Sequence, residues 1–531
     1  MEKAKIAIKN KYDKFKNDLG TATGNIEQLS DGWFKQKYTK GAIYYKDGVG
    51  TYAVFGAIYS KYVEFKAEKG QLGFPKTDET ATPDRVGRYN HFQYGSIYWT
   101  PTTGAHEIHG SIRDKWAALS WERGFLGYPL TDECTTPDRI GRYTHFQGGS
   151  IYWTPSTGAH EVHGAIRDKW AALSWENGHL GYPLTDECTT PDTIGRFNHF
   201  QGGSIYWSPS TGAHEVHGAI RTKWESLGWE RGYLGYPLTD ECTTPDTIGR
   251  YTHFQGGSIY WTPSTGAQSV RMQIRNKWES LGWENGYLGY PLNDTQGSPT
   301  SSLSNKFQGG IINWTPSSGA RVSTPYTKVK FILDEIYCRD ETSELSGSDE
   351  IFITGTALDN NWKEYRLPAI NLGSFDGGKR KYPNRTLVEL PINDTGWPKG
   401  LVVTVLLVED DGKTGVGGLS GIQTKILAKV KEEAKKAIAG LKVAASVVAG
   451  PVGTVIGYIG GHLAGGMIDA AIKAIISSGE DDYFPPFSCY ISIPSVYSLT
   501  EAAGATSTPK QHYRVTAHGG SYDLYYHWQL A

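Results

Sequence analysis

"HFQGGSIYWTPSTGAHEVHGAIRDKWAALSWENGHLGYPLTDECTTPD" occupies His145–Asp192, and near-copies of it precede and follow. The glycine of its Leu-Gly-Tyr-Pro core recurs at Gly73, Gly127, Gly181, Gly235 and Gly289, always 54 residues apart. The aromatic residue after "GxIY" recurs at Trp99, Trp153, Trp207 and Trp261, then at Trp314 after one deletion. A diverged first copy places Leu19-Gly20 and Tyr45 in register. Six units thus cover residues 1–323. A period of this size means stacked supersecondary units, each too small to bury its own apolar face.

One unit can be read piece by piece. "HGAIRDKWAALSWENG" spaces Ile166, Trp170 and Leu173 as one helical stripe. Gly178 is expected to end that helix as its C-cap. "LGYPLTDE" and "TTPD" carry turn residues. "GRFNHFQGGSIYWSPSTGAHEVHG" reads as two short strands joined at Pro-Ser-Thr-Gly, a β-hairpin. The fold class expected for residues 1–323 is an α+β repeat domain of six helix–loop–β-hairpin units, arranged as a propeller-like ring or a solenoid.

The segments "GxLGYPLTDE", "FQGGSIYW" and "TGAHEVHGAI" resemble the LGFP repeat, with Leu72-Gly73-Phe74-Pro75 and Leu126-Gly127-Tyr128-Pro129 as its core. The first unit lacks the proline, and the last has "NDTQ" at 293–296 in place of "TDEC". The resemblance implies a bacterial cell-envelope protein that binds cell-wall polysaccharide through propeller-like repeats.

The composition narrows the function. Aromatic residues make up 13% of the 531 residues, with 17 Trp and 33 Tyr, and aromatic area serves both cores and sugar-binding faces. A formal net charge of −2 gives no reason to expect nucleic acid as partner. The N-terminal "MEKAKIAIKNKYDKFKND" scatters charge and does not read as a secretory signal peptide. Cys134, Cys188 and Cys242 share one position that Thr80 and Gln296 fill in flanking units, so they read as thiols. Cys338 and Cys489 remain able to pair.

Catalytic readings of the repeat are weak. "HEVHG" (His160, Glu161, His163) lacks the His-Glu-x-x-His spacing of a helical zinc protease, and on a strand its two histidines face opposite ways. The Thr-Asp-Glu carboxylates suit turn hydrogen bonds better than an acid–base pair. No catalytic residue is assigned and the protein is expected not to be an enzyme. The candidate glycan site is instead the outward ring of each Tyr-Trp pair, namely Trp99, Trp153, Trp207 and Trp261. Polar neighbours come from Asp132, Asp186, Asp240, from His145, His199, His253, and from Gln147, Gln201, Gln255. Repetition would raise weak single sites to useful avidity.

The pattern changes near Pro325. Period-two alternation over residues 324–531 gives about seven strands, an antiparallel β-sandwich of C2-like appearance. Asp334, Asp340, Asp349, Asp410 and Asp411 are read at its turns as weak calcium candidates; no other cofactor is implied. Residues 419–480 read as an inserted helical hairpin. Within it, 443–468 carry no formal charge and are long enough to enter a membrane, and Gly457, Gly461 and Gly465 form a close-packing stripe. The leading expectation is a non-enzymatic multivalent polysaccharide binder. The alternatives are a membrane-active toxin or effector targeted by its repeats, and a polysaccharide-acting enzyme.

Overall fold

A computed structural model describes residues 1–342, 349–359, 362–393, 397, 399–409, 421–432, 483–493, 495–497, 499 and 506–531. The chain divides into two compact units, Met1–Asp240 and Glu241–Ala531.

Met1–Asp240 alternates helices with four-stranded sheets. Its sheets span Glu27–Phe55, Thr80–His109, Cys134–His163 and Cys188–His217, each an antiparallel meander in chain order. The helices are Glu2–Leu19, Gly56–Glu64, Gly110–Ala118, Gly164–Ala172 and Gly218–Ser226. The expected two-stranded hairpin is therefore an undercount. Arg142–His145 pairs alongside Gly149–Thr154, and the two-residue strand Cys134–Thr135 extends the sheet. Two residues have no periodicity to read, and this strand falls where the two turn signals of the loop meet.

Strand alternation gives each sheet two working faces. In the sheet Cys134–His163, Tyr152 pairs across to Tyr143, whereas Ile151 and Trp153 lie on the opposite face. Tyr143, Tyr152 and Val162 join a core with Ile166 and Trp170 of the following helix and Phe200 and Ile205 of the next sheet. Ile151, Trp153 and Ala159 join the preceding core, with Trp116 and Phe146. The sheets Glu27–Phe55, Thr80–His109 and Cys134–His163 each close one core and open the next, so these repeats share their cores with their neighbours. Burying a ring such as Trp170 is worth about 2–3 kcal/mol.

The Leu-Gly-Tyr-Pro loop is a clamp. Leu180 is fully buried. Gly181 has φ 65°, where a Cβ would lie 2.6 Å from the Gln201 amide oxygen, so only glycine fits. Its carbonyl accepts the Trp170 indole N–H at 3.2 Å, and the Tyr182 N–H donates to Gln201 Oε1 at 3.0 Å. The Tyr182 hydroxyl donates to Asp138 at 2.7 Å in the preceding Thr-Thr-Pro-Asp loop.

The helix ends earlier than expected. Gly164–Ala172 stops at Leu173, because Ser174 and Trp175 both take left-handed backbone, φ 72° and 53°. A short 3-10 turn, Trp175–Asn177, follows. Gly178 is required for a different reason: a Cβ there would lie 1.8 Å from the Leu173 carbonyl oxygen.

Glu241–Ala531 contains two more sheets of the same kind, Cys242–Arg271 and Gln296–Ser323, with the helix Met272–Glu279 between them. Among the described residues there are thus six helix-plus-sheet units. Two larger antiparallel sheets follow. One contains Lys328–Asp340, Arg380–Lys381, Arg385–Pro391, Gln511–Ala517 and Gly520–Leu530; the other contains Asp349–Asp359, Glu364–Phe375, Lys399–Glu409 and Phe487–Ile493. Both contribute to one core that includes Phe331, Ile353, Val403 and Trp528. All five cysteines are thiols, so Cys338 and Cys489, both buried, do not form the disulfide they were able to make.

Residues 421–432 form a helix whose Ile426, Leu427 and Val430 pack with Leu406, Val408 and Tyr483. The rest of the expected hairpin, including 443–468 and its glycine stripe, lies outside the described residues. Among the described residues no helix is long and apolar enough to cross a membrane.

Candidate functional site

The residues expected to bind glycan fall into three environments. Trp99, Trp153, Trp207 and Trp261 are all half-buried, and the first three pack against hydrophobic cores. Gln147 and Gln201 use their side-chain oxygens to hold the backbone N–H of Tyr128 and Tyr182; Gln255 lies at the matching turn. Asp132, Asp186 and Asp240 work as ties between repeats. Asp186 accepts from the Glu161 N–H at 3.2 Å and from Lys115 Nζ at 2.9 Å, with His160 Nδ1 3.3 Å away. Lys61 holds Asp132 and Lys169 holds Asp240 in the same manner, both at 2.9 Å. Burial pushes the Asp186 carboxyl up, but its bonds to His160, Lys115 and the Glu161 N–H prevail and bring it to about 2.

The neighbouring glutamates are internal as well. Glu187 pairs with Arg196 and His163, while His163 Nδ1 meets Glu161 Oε2 at 2.8 Å. Burial works to lower the His163 pKa; the Glu161 hydrogen bond and the two carboxylates hold it above its ordinary value. Burial raises the Glu187 carboxyl despite His163 and Arg196. This wiring leaves the Thr-Asp-Glu segment structural.

His145, His199 and His253 belong to a different set, which brings in residues that the sequence reading passed over. The His145 ring lies 5.6 Å from Trp175 and 4.9 Å from Tyr143. The Arg167 guanidinium sits over Trp175 at 5.2 Å, and its Nε donates to Ser150 Oγ at 2.7 Å. Ser150 Oγ is 2.7 Å from His145 Nδ1. Arg167 Nη2, which can only donate, lies 3.5 Å from the same Nδ1; that contact suits Nδ1 as acceptor and Nε2–H as the imidazole donor. Burial, helped by Arg167, pushes the His145 pKa down to about 4, so the ring is neutral near pH 7.

The set recurs. Tyr89, His91, Arg113 and Trp121 form it one period earlier, and Phe197, His199, Arg221 and Trp229 one period later. In Glu241–Ala531 it is Tyr251, His253, Arg275 and Trp283. All four tryptophans are half-buried and have φ of 53–56°. A bulky side chain in left-handed backbone costs about 1–2 kcal/mol, and four repeats keep it. Tyr143 and Trp175 also pack on the core of Tyr152 and Trp170, so the set combines packing with part-buried aromatic edges, a guanidinium and an imidazole. The sequence signal was "LSWE" or "LGWE", in which the Gly228 and Gly282 forms disclose the turn.

The two calcium candidates whose side chains fall among the described residues, Asp334 and Asp340, are not drawn together. Asp334 lies inside the strand Lys328–Asp340, not at a turn, and is buried against His527 Nδ1 at 2.8 Å. Asp340 is exposed at the end of that strand. Asp349 opens the next one, though its side chain is outside the described residues, as are Asp410 and Asp411.

This architecture, helix and four-stranded meander repeated with interlocked cores, defines a repeat protein. The LGFP repeat family matches residues 19–70, 72–124, 126–178, 180–232 and 234–286, so the chain carries five LGFP repeats. Such repeats point to a surface or cell-wall associated protein. No curated protein matches the chain. Among solved structures, the TCP10 domain of Danio rerio CPAP (E1021V mutant) is 7% identical, covering 57% of this chain and 99% of that one at a TM-score of 0.18. PorZ, a surface component of the type-IX secretion system of Porphyromonas gingivalis, is 8% identical over 74% of this chain and 48% of its own, TM-score 0.12. Kluyveromyces lactis Hsv2p is 6% identical over 57% and 98%, TM-score 0.09.

Proposed function

We propose that the protein is a non-enzymatic, multivalent binder of cell-wall or cell-surface polysaccharide, and that the Tyr/Phe–His–Arg–Trp ridge of each repeat makes the contact. The observation that carries this reading is the recurrence of that set in four repeats, each with a part-buried tryptophan held in left-handed backbone beside an arginine and a histidine. Uncharged aromatic edges beside an Arg and a neutral His N–H suit sugar hydroxyls, and they need no cofactor. One ridge offers about 1 kcal/mol of aromatic contact; several give avidity. The near-neutral net charge argues against nucleic acid as the partner.

Co-sedimentation with purified, insoluble bacterial cell walls tests the proposal by setting the two aromatic rows against each other. Arg167→Ala alone is expected to weaken retention several-fold. Replacing Arg113, Arg167, Arg221 and Arg275 by Ala together is expected to abolish it in protein whose circular dichroism is unchanged. Replacing Trp99, Trp153, Trp207 and Trp261 by Phe, which preserves packing, is expected to leave it. Undiminished retention by the folded quadruple arginine variant would sink the ridge assignment.

A further inference from the structure

We propose that His179, Glu215 and His217 form a binding site for a divalent ion of the zinc class. Glu215 and His217 sit two apart on the strand Gly212–His217, so alternation sends both side chains to one face. His217 Nδ1 lies 2.8 Å from Glu215 Oε2. His179 enters from the loop before Leu180, its Nε2 3.5 Å from the same carboxylate oxygen. The three ligand atoms lie within 4.8 Å of one another. With metal–nitrogen bonds of about 2.0–2.1 Å, tetrahedral geometry separates ligand atoms by about 3.3 Å. The buried Glu215 and half-buried His217 are already that close. His179, whose side chain is 43% exposed, is the one with room to adjust.

The backbone carrying His179 is fixed, so the third ligand is presented rather than left to chance. Gly202 packs so closely that a Cβ there would lie 2.0 Å from the His179 carbonyl oxygen. The Gly202 N–H also bonds to the Leu180 carbonyl at 2.8 Å.

Sister repeats show what this copy adds. One period earlier, Glu161 and His163 form the same pair at 2.8 Å, but the residue stacked on His163, at 4.4 Å, is Phe125. The other copies of position 179 are Gln71, Tyr233 and Tyr287. Glu-x-His and a histidine at the position 36 residues before it thus coincide in a single repeat. Two imidazole nitrogens and one carboxylate oxygen favour Zn2+, Ni2+, Co2+ or Cu2+ over Ca2+ or Mg2+. On binding, His217 Nδ1 gives up its proton to solvent and donates its lone pair to the metal; a fourth position stays open to water.

The full-length protein, stripped with chelator, is titrated with ZnCl2 by calorimetry beside H179F and F125H. Each substitution installs a ring that a sister repeat already houses, and thermal melts in chelator verify the fold. Wild type is expected to bind one more equivalent of Zn2+ than H179F, at micromolar Kd, and F125H one more than wild type. Equal stoichiometry in wild type and H179F, or no gain in F125H, overturns the proposal.

Discussion

At the scale of single residues, the repeat motif spends its polar side chains on joining neighbours. Asp186 shows how strong such a tie is: one carboxylate serves a backbone N–H, a lysine from the helix Gly110–Ala118 one repeat back and a histidine. Removing its charge in D186N should cost about 1–2 kcal/mol, the range for a charge-assisted hydrogen bond discounted for partial exposure. The pH dependence follows from its lowered pKa. The folded carboxyl titrates at about 2, below its ordinary value of 3.8. Its contribution is therefore complete above pH 4 and is lost as pH falls through 2. Thermal melts should show wild type and D186N converging over that window, and a constant gap down to pH 2 would exclude the tie. His145 acts at higher pH: its folded pKa is depressed to about 4, so the unfolded chain takes up the proton first and stability drops as pH falls below about 6.5.

At the scale of elements, the turn after each short helix combines strain with exposure. Ser120 and Ser174 hold φ near 73°, where the equivalent positions Gly228 and Gly282 sit without a side-chain penalty. S174G should therefore raise stability by about 0.5–1 kcal/mol, the left-handed penalty relieved less the added freedom of the unfolded chain. Chemical denaturation reads this directly, and a loss of stability would mean that the Ser174 side chain contributes contacts that outweigh the strain. This turn also marks where sequence reading stops. The 54-residue period, the "GSIYW" and "GAHEVH" strands and the Ile166–Trp170 stripe were legible because each repeats a periodicity. The helix end was not, since Trp175 is no turn former and Gly178 offered a plausible cap. Nor was it visible that Trp153 packs on the preceding core while Trp175 packs on the next one and also meets His145 and Arg167, because both are tryptophans beside polar residues. The Glu215–His217 pair was legible as strand alternation; its third partner, His179, lies 36 residues upstream in a loop and needed coordinates.

At the scale of the whole molecule, the composition switch near Pro325 separates two kinds of sequence, and cleavage there would be expected to free the repeats from the sheets that follow. Within Glu241–Ala531, specific contacts argue for joint melting instead. Trp397, 5% exposed in the core of the larger sheets, donates its indole N–H to the Tyr287 carbonyl at 2.8 Å. The Val496 N–H bonds to the Gln308 carbonyl, also at 2.8 Å. Gly289, the Leu-Gly-Tyr-Pro glycine of that repeat, has Trp397 Cδ1 2.9 Å from where its Cβ would be, so the indole sits directly on the clamp. Trp397→Ala empties a site of indole size and orphans a backbone carbonyl, a change that costs about 3–5 kcal/mol in a packed core. Amide exchange should then accelerate both at 287–309 and in the strands Lys328–Asp340 and Lys399–Glu409, since one cooperative unit distributes the loss. Protection in the sheet Cys134–His163, which belongs to Met1–Asp240, should stay at its wild-type value. If W397A instead loosens the larger sheets and leaves 287–309 as protected as before, the last repeats and the sheets are independent folding units and the boundary near residue 325 is the thermodynamic one.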